Sequence, residues 1–311
     1  MKLLLPDSVD LDPPDGVDSV VYSIEEPIPA AHADATALVV WGNRAAQLRD
    51  AATRLTRLRW VQTLAAGPDS ILEAGFAPEV ILTAGGGLHD VTVAEHTLAL
   101  VLAAARRLNL LVRAQVGHRW AGELGGRQPV TEPDSFRTLR GARVLIWGFG
   151  GIAATLAPHL AALGAYVTGV ARTAGERHGF RVATADDLPD LLPGTDVLIM
   201  ILPATADTAR VLDARMLALL PPRAWVVNVG RGATVDEDAL LDAIRAGRLG
   251  GAALDVFDTE PLPAESGLWA EPDVIITPHA AGGRPIGASA LIAENLAALR
   301  EGRPLRHVVA R

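Results

Sequence analysis

Residues Val144-Leu145-Ile146-Trp147-Gly148-Phe149-Gly150-Gly151-Ile152-Ala153 run from an apolar tetrad through three glycines into a small-residue, helix-compatible stretch. The tetrad suits a buried strand, and the whole reads as G-x-G-x-x-A at a strand-to-helix turn. Gly148 permits the tight turn, Gly150 lets the backbone approach a pyrophosphate, and Ala153 is small enough for helix and strand to pack closely. The helix that opens here aims unpaired N–H groups and the positive end of its dipole at phosphate. Gly148, Phe149, Gly150, Gly151 and Ile152 are therefore the expected phosphate-binding residues. The alternative is a purely structural glycine turn.

The next strand, Tyr166–Val170, follows at the spacing a dinucleotide fold requires, and its end selects the cofactor. An acidic residue there would bind the ribose 2′-hydroxyl of NAD. This chain instead reads Gly169-Val170-Ala171-Arg172-Thr173, with Ala171 at the acid's place. Without a carboxylate a 2′-phosphate meets no repulsion, and Arg172 with Thr173 offers it a charge-assisted partner. The expectation is NADP(H) over NAD(H); the alternatives for Arg172 are stacking on adenine or facing water.

Farther out, β-branched runs alternate with helical patterns along almost the whole chain. The first series is Lys2–Leu5, Ser19–Ser23, Ala37–Trp41, Trp60–Leu64 and Val80–Thr83, with helical stretches at Ala45–Leu55 and Ser70–Ala74. The second is Val144–Trp147, Tyr166–Val170, Val197–Leu202, Trp225–Val229, Ala252–Val256 and Val274–Thr277. Such alternation implies parallel sheets with helical crossovers. A helix over Val93–Leu108 and an irregular segment over Gly117–Leu139 lie between the series, and a last helix spans Ile286–Arg300. After Val235, the acids Asp236, Glu237 and Asp238 mark a helix start, and Gly247 marks its end. With 311 residues, half of them hydrophobic, there is material for two cores.

The formal net charge of −8 and the absence of Lys/Arg blocks argue against nucleic acid as a partner. No cysteine is present, which removes disulfides, thiolate metal sites and cysteine nucleophiles, and no metal is expected. The N-terminus lacks a signal-peptide pattern. The longest apolar helical run, Thr97–Ala105, is about half of the ~20 residues that span a bilayer. The default expectation is a cytoplasmic protein without a membrane partner.

Three downstream segments each end a strand with a reactive residue: Asn228-Val229-Gly230-Arg231-Gly232, Asp255-Val256-Phe257-Asp258-Thr259-Glu260-Pro261 and Thr277-Pro278-His279-Ala280-Ala281-Gly282. In an open α/β sheet, ligands bind beyond the carboxyl ends of the strands, so all three can serve one crevice. Arg231 can clamp a carboxylate through a forked, bidentate contact. His279 can give a proton to a keto oxygen and take it back in reverse. Glu260, bonded to the other imidazole nitrogen, would fix the tautomer and favour the charged ring. Taken singly, each has a structural alternative: a strand cap, a surface acid, a loop histidine.

In this order behind a dinucleotide motif, these segments resemble the D-isomer-specific 2-hydroxyacid dehydrogenases, and Ala66-Gly67-Pro68-Asp69-Ser70-Ile71-Leu72 resembles their glyoxylate/hydroxypyruvate reductases most. The likeness runs from Trp60-Val61-Gln62 to Gly302-Arg303-Pro304-Leu305 and includes Val93-Ala94-Glu95-His96-Thr97 and Leu202-Pro203 with Thr208. It implies a flavodoxin-like substrate domain (1–92 plus 284–311) and a Rossmann domain (93–283). The implied catalytic residues are Arg231, Glu260 and His279. The implied cofactor contacts add Leu202, Pro203, Thr208, Val229, Gly230, Asp255 (nicotinamide amide) and Ala281. Ala66 and Gly67 match a loop that receives the substrate carboxylate. A homodimer is implied, built on the helix near Ala94 and the following arm, while His96, Trp120 and Trp269 are expected to pack. Trp41 stands where phosphoglycerate dehydrogenases tend to have an arginine, which points to an unphosphorylated 2-keto acid. The alternatives are an NAD-linked dehydrogenase of another 2-hydroxy acid, phosphoglycerate dehydrogenase-like, and a non-catalytic dinucleotide sensor or corepressor.

Overall fold

A computed structural model describes residues 1–125 and 135–310 of the chain. Two compact units emerge, Met1–His89 with Gly283–Arg311, and Asp90–Gly282.

The first unit is a five-stranded sheet in the order β2-β1-β3-β4-β5, built from β1 (Lys2–Pro6), β2 (Asp18–Tyr22), β3 (Ala37–Val40), β4 (Trp60–Thr63) and β5 (Ile81–Thr83). Every pairing is parallel, and the 2-1-3-4-5 order is that of flavodoxin-like folds. Helices α1 (Ala45–Arg54) and α2 (Asp69–Glu73) lie on the connections. Alternate residues of each strand feed opposite cores: Leu4, Leu38, Val40 and Val61 on one face, Leu3, Leu5, Ala37, Val39 and Trp60 on the other. A parallel sheet covered on both faces favours apolar residues at successive positions, which is why β1 and β3 read as apolar runs, while Gln62, Thr63 and Thr83 are the buried polar exceptions. The terminal helix (Ala288–Glu301) covers the second face with Leu291, Ile292, Leu296 and Leu299. Its Asn295, fully buried, donates to Gln62 Oε1 at 2.9 Å, and the Thr83 hydroxyl donates to the same oxygen at 2.8 Å. That buried polar link anchors the helix to β4 and β5.

The second unit begins with α3 (Asp90–Ala105) and α4 (Leu108–Val116). The sequence pattern predicts one helix ending at Leu108. Instead Arg107 takes a left-handed φ of 55° and divides two helices. The expected irregular segment over Gly117–Leu139 is described only in part, since 126–134 lie outside the described residues. The sheet then forms from β6 (Arg143–Trp147), β7 (Tyr166–Val170), β8 (Gly175–Arg177), β9 (Phe180–Ala183), β10 (Val197–Met200), β11 (Trp225–Asn228), β12 (Gly251–Leu254) and β13 (Val274–Ile276). Its order is β13-β12-β11-β10-β6-β7-β9-β8, parallel throughout except where β8 pairs antiparallel with β9. The stretch β9-β7-β6-β10-β11-β12 is the 3-2-1-4-5-6 order of dinucleotide-binding sheets. Strands β8 and β9 are additions to the six expected.

Again the faces alternate. Val144, Ile146, Val197 and Ile199 pack with α3 and α5 (Gly151–Ala162). Leu145, Trp147, Leu198 and Met200 pack on the side of α6 (Leu188–Leu191), α7 (Ala214–Leu217) and α8 (Glu237–Arg245). Asp236 caps α8 by accepting from the Ala239 N–H at 3.0 Å, a bond of about 1 kcal/mol. Gly247, with φ 65°, ends it. The sheet reverses direction of winding between β6 and β10, and a ligand is expected at the carboxyl ends there.

Candidate active site

At the switch point three loops meet backbone to backbone. A Cβ on Gly148 (φ 103°) would lie 2.4 Å from the Ile201 carbonyl oxygen, and one on Gly230 would lie 2.7 Å from the Leu202 nitrogen. Only glycine admits this approach, so the ends of β6, β10 and β11 are fused into one ledge. A Cβ added to Gly150, the residue before α5, would meet nothing within 4 Å, and no side chain caps the helix start. Open space over uncapped N–H groups is what a pyrophosphate needs. Gly151 has a different duty: a Cβ there would sit 2.2 Å from Asp90 Oδ2, so it admits α3 beside α5. Ala153 is fully buried. The loop therefore fits a dinucleotide's phosphates.

Phe149 lies buried against Gly169, where a Cβ would come within 2.3 Å of its ring. Beyond β7, Ala171 is half-buried while Arg172 and Thr173 are exposed. Thr173 is held by a residue that the sequence pattern does not single out: Arg177 donates to its hydroxyl at 2.6 Å and its carbonyl at 3.0 Å. After β10, the Thr208 hydroxyl donates to the Pro203 carbonyl at 2.6 Å and closes the Leu202–Thr208 turn.

Arg231 follows β11. Asn228 Nδ2 and the Thr234 hydroxyl both donate to its carbonyl, at 3.1 and 2.7 Å, and its own Nη1 donates to the Gly230 carbonyl at 2.8 Å. Its neighbour Gly232 is pressed against the backbone of Phe257, leaving no room for a Cβ. The Phe257 N–H in turn donates to Glu260 Oε1 at 3.0 Å, and Glu260 Oε2 lies 2.8 Å from His279 Nδ1. Arg231, Glu260 and His279 are thus joined through one continuous wall of loops. His279 adopts a left-handed φ of 52° and keeps nearly half its side chain, 48%, accessible.

That unusual backbone is held from beneath by Asp255, only 1% exposed. Its carboxylate accepts from the Thr277 hydroxyl at 2.6 Å and from the N–H groups of Ala280 and Ala281 at 2.9 and 3.0 Å. His96 Nε2 lies 3.0 Å from the Thr277 hydroxyl and 3.3 Å from Asp255 Oδ1. His96 therefore does more than pack: it backs the loop that carries His279. Asp255, expected on a nicotinamide amide, has its oxygens engaged by this loop. A second acid, Glu237, accepts the Asp258 N–H at 2.7 Å. Its carboxyl is raised above the ordinary range, chiefly by burial and further by the carboxylates of Asp258, Asp238 and Glu260.

Trp120 and Trp269, both expected to pack, are instead 95% and 48% exposed, although Trp269 donates its indole N–H to the Pro263 carbonyl at 3.0 Å. In the first unit, Ala66 and Gly67 follow β4. Their loop is held by the Gly85 N–H, which donates to the Ala65 carbonyl at 2.7 Å. Trp41, after β3, stacks on His89 with ring centroids 5.2 Å apart. Among the described residues no cluster of His, Asp or Glu could hold a metal ion, and no helix is long and apolar enough to cross a membrane.

The sequence profile of the D-isomer specific 2-hydroxyacid dehydrogenase NAD-binding domain matches residues 98–281. The chain belongs to the D-isomer specific 2-hydroxyacid dehydrogenase family. A glyoxylate/hydroxypyruvate reductase A of Serratia proteamaculans (strain 568) is 36% identical over 264 residues, 81% of this chain and 80% of the relative. A reductase of the same name from Klebsiella pneumoniae (strain 342) is 49% identical over 120 residues, so the chain spans only 38% of that relative's length. Among solved structures, a D-isomer specific 2-hydroxyacid dehydrogenase from Xanthobacter autotrophicus Py2, in complex with NADPH and MES, superposes with a TM-score of 0.82 at 30% identity. That match covers 100% of this chain and 98% of the other. An NADPH-dependent glyoxylate/hydroxypyruvate reductase from Sinorhizobium meliloti, with NADP and sulfate, gives 0.80 at 26% identity, covering 99% and 97% of the two chains. The family profile falls within the second unit.

Proposed function

We propose that this protein is an NADPH-preferring reductase of a small, unphosphorylated 2-keto acid, glyoxylate or hydroxypyruvate, which it converts to the D-2-hydroxy acid. The observation that carries the proposal is the 2.8 Å contact between His279 Nδ1 and Glu260 Oε2, on strand-end loops of a family member. The unit Asp90–Gly282 takes the dinucleotide and the other unit the substrate.

A reduced nicotinamide supplies the hydride that adds to C2 of the keto acid. Glu260 accepts from Nδ1–H of His279, which leaves Nε2 as the nitrogen that meets the substrate. The imidazolium gives the Nε2 proton to the keto oxygen, and the neutral ring is reprotonated from solvent. Arg231 holds the carboxylate through its guanidinium fork, in a backbone fixed by Asn228 and Thr234. In the other unit, backbone N–H groups of Ala66 and Gly67 are the proposed donors to the substrate carboxylate. Asp255 keeps the His279 loop in shape, Oδ1 taking the Thr277 hydroxyl and the Ala280 N–H, while Oδ2 takes only the Ala281 N–H and can accept an amide as well.

For the cofactor, Ala171 at the end of β7 and the cation Arg172 favour a 2′-phosphate, and relatives of known structure carry NADPH or NADP. For the substrate, the end of β3 offers Trp41 stacked on His89 where a phosphorylated acid would call for a cation. The working form is a homodimer.

The test is a panel of 2-keto acids with each reduced cofactor, followed by absorbance. NADPH consumption with glyoxylate or hydroxypyruvate is the expected result. Cofactor binding with no turnover across the panel would replace the proposal with a dinucleotide sensor.

A further inference from the structure

We propose that Arg177, carried on the β8–β9 hairpin, is a second determinant of cofactor choice, placing its guanidinium on the 2′-phosphate of NADPH beside Arg172. The inference rests on the dinucleotide reading above and assigns a residue that neither the glycine motif nor the strand end contains.

The hairpin is built to fix this side chain. Its two-residue turn, His178-Gly179, has φ of 53° and 80°, the pair of positive values a type I′ turn requires. Register follows from the turn: Arg177 pairs with Phe180 and Glu176 with Arg181. Strand β9 is itself anchored to β7, Gly169 to Val182 and Val170 to Ala183. The hairpin therefore folds back over the end of β7, where Ala171, Arg172 and Thr173 leave the sheet.

There the guanidinium spans two loops. Nη2 donates to the Thr173 hydroxyl and carbonyl at 2.6 and 3.0 Å, and Nη1 donates to the Phe149 carbonyl at 3.3 Å. Phe149 is the second residue of the glycine motif. In a fold of this kind the pyrophosphate lies on that motif and the adenosine ribose at the end of β7. A side chain touching both lies along the 2′ edge of that ribose. Its three acceptors among the described residues are neutral oxygens, so they leave the positive charge uncompensated, and Nε–H with one Nη1 hydrogen remains for an anion. A guanidinium serving only to staple the loops would work equally for either cofactor.

Steady-state kinetics of Arg177→Ala, Arg177→Lys and Arg172→Ala with NADPH and with NADH separate these roles. The proposal predicts that Arg177→Ala raises the NADPH KM about tenfold or more while the NADH KM stays within about twofold, and that Arg177→Lys falls between. Titration with 2′,5′-ADP and with 5′-ADP gives the same comparison without turnover: only 2′,5′-ADP should bind more weakly to Arg177→Ala. Equal losses for both cofactors would reduce Arg177 to a staple and overturn the proposal, as would no change in either. If the wild-type chain turned over no keto acid but bound 2′,5′-ADP through Arg177, the catalytic reading would fail and this one would stand.

Discussion

Glu260 divides its two oxygens between two partners, Oε1 taking the Phe257 N–H at 3.0 Å and Oε2 lying 2.8 Å from His279 Nδ1. The first contact fixes the carboxylate to the loop after β12, so the second can orient the imidazole rather than follow it. Replacing Glu260 by Gln keeps an acceptor, but the amide can turn its donor toward Nδ1 and loosen the orientation of the ring. We expect kcat to fall roughly 10²-fold with the NADPH KM little changed. A kcat within about twofold of wild type would show that the pair is structural.

Gly148 and Gly150 should separate folding from binding. A Cβ at Gly148 meets the Ile201 carbonyl at 2.4 Å with φ at 103°, so Gly148→Ala is expected to lose about 1–3 kcal/mol in a urea melt. A Cβ at Gly150 meets nothing within 4 Å, so Gly150→Ala should melt like wild type yet bind NADPH at least about tenfold more weakly. Unchanged NADPH affinity in Gly150→Ala would mean that no phosphate lies on this loop.

Glu237 gives a pH-dependent prediction. Burial first, then the neighbouring carboxylates, raises its carboxyl above the ordinary range, so the folded state holds this proton more tightly than the unfolded chain. Such a group contributes stability below the ordinary carboxylate range, near about pH 4, and loses it as pH rises through the raised value. Glu237→Gln should therefore be more stable than wild type at neutral pH, by less than ~1 kcal/mol because the site is half open to solvent. The gain should vanish near the ordinary carboxylate range, as read by thermal melts in both conditions. A gain independent of pH would exclude the titration.

The exposed residues of α4 bear on assembly. Leu108, Val112 and Val116 recur every fourth residue and are 46%, 53% and 75% exposed, followed by Trp120 at 95%. Leu108, Val112 and Val116 form one apolar stripe along α4, and Trp120 lies beyond its end. A second copy of the chain is the proposed cover. Light scattering should show a dimer for wild type and a monomer for Val112→Asp/Val116→Asp. A monomeric wild type would refute it.

Both sheets were legible in the sequence for a physical reason. A parallel strand buried on both faces favours apolar residues at successive positions, and Val144–Trp147 or Val197–Met200 can scarcely be anything else. Arg231, Glu260 and His279 stood out as candidates because ligands in such sheets sit beyond the carboxyl ends of the strands, and the fold brings Glu260 to 2.8 Å from His279 Nδ1. What escaped lacked that signature. Strand β8 is Gly175-Glu176-Arg177, without one apolar side chain, and exists because β9 offers it an edge, so Arg177 was invisible as a site residue. The helix break at Arg107 falls in a run of good helix formers, with no glycine or proline to mark it. The link between Asn295 and Gln62 joins residues far apart in sequence whose meeting only the fold creates.

In the proposed reaction hydride passes directly to C2 of a keto acid while His279 supplies the proton to oxygen. It is tested by reducing glyoxylate or hydroxypyruvate with NADPH deuterated at the transferring C4 position and locating the label by NMR, for wild type and for His279→Ala. The account predicts deuterium at C2 of the hydroxy acid with wild type, and loss of turnover with retained NADPH binding in His279→Ala. Hydrogen from solvent at C2, or a fully active His279→Ala, would contradict it.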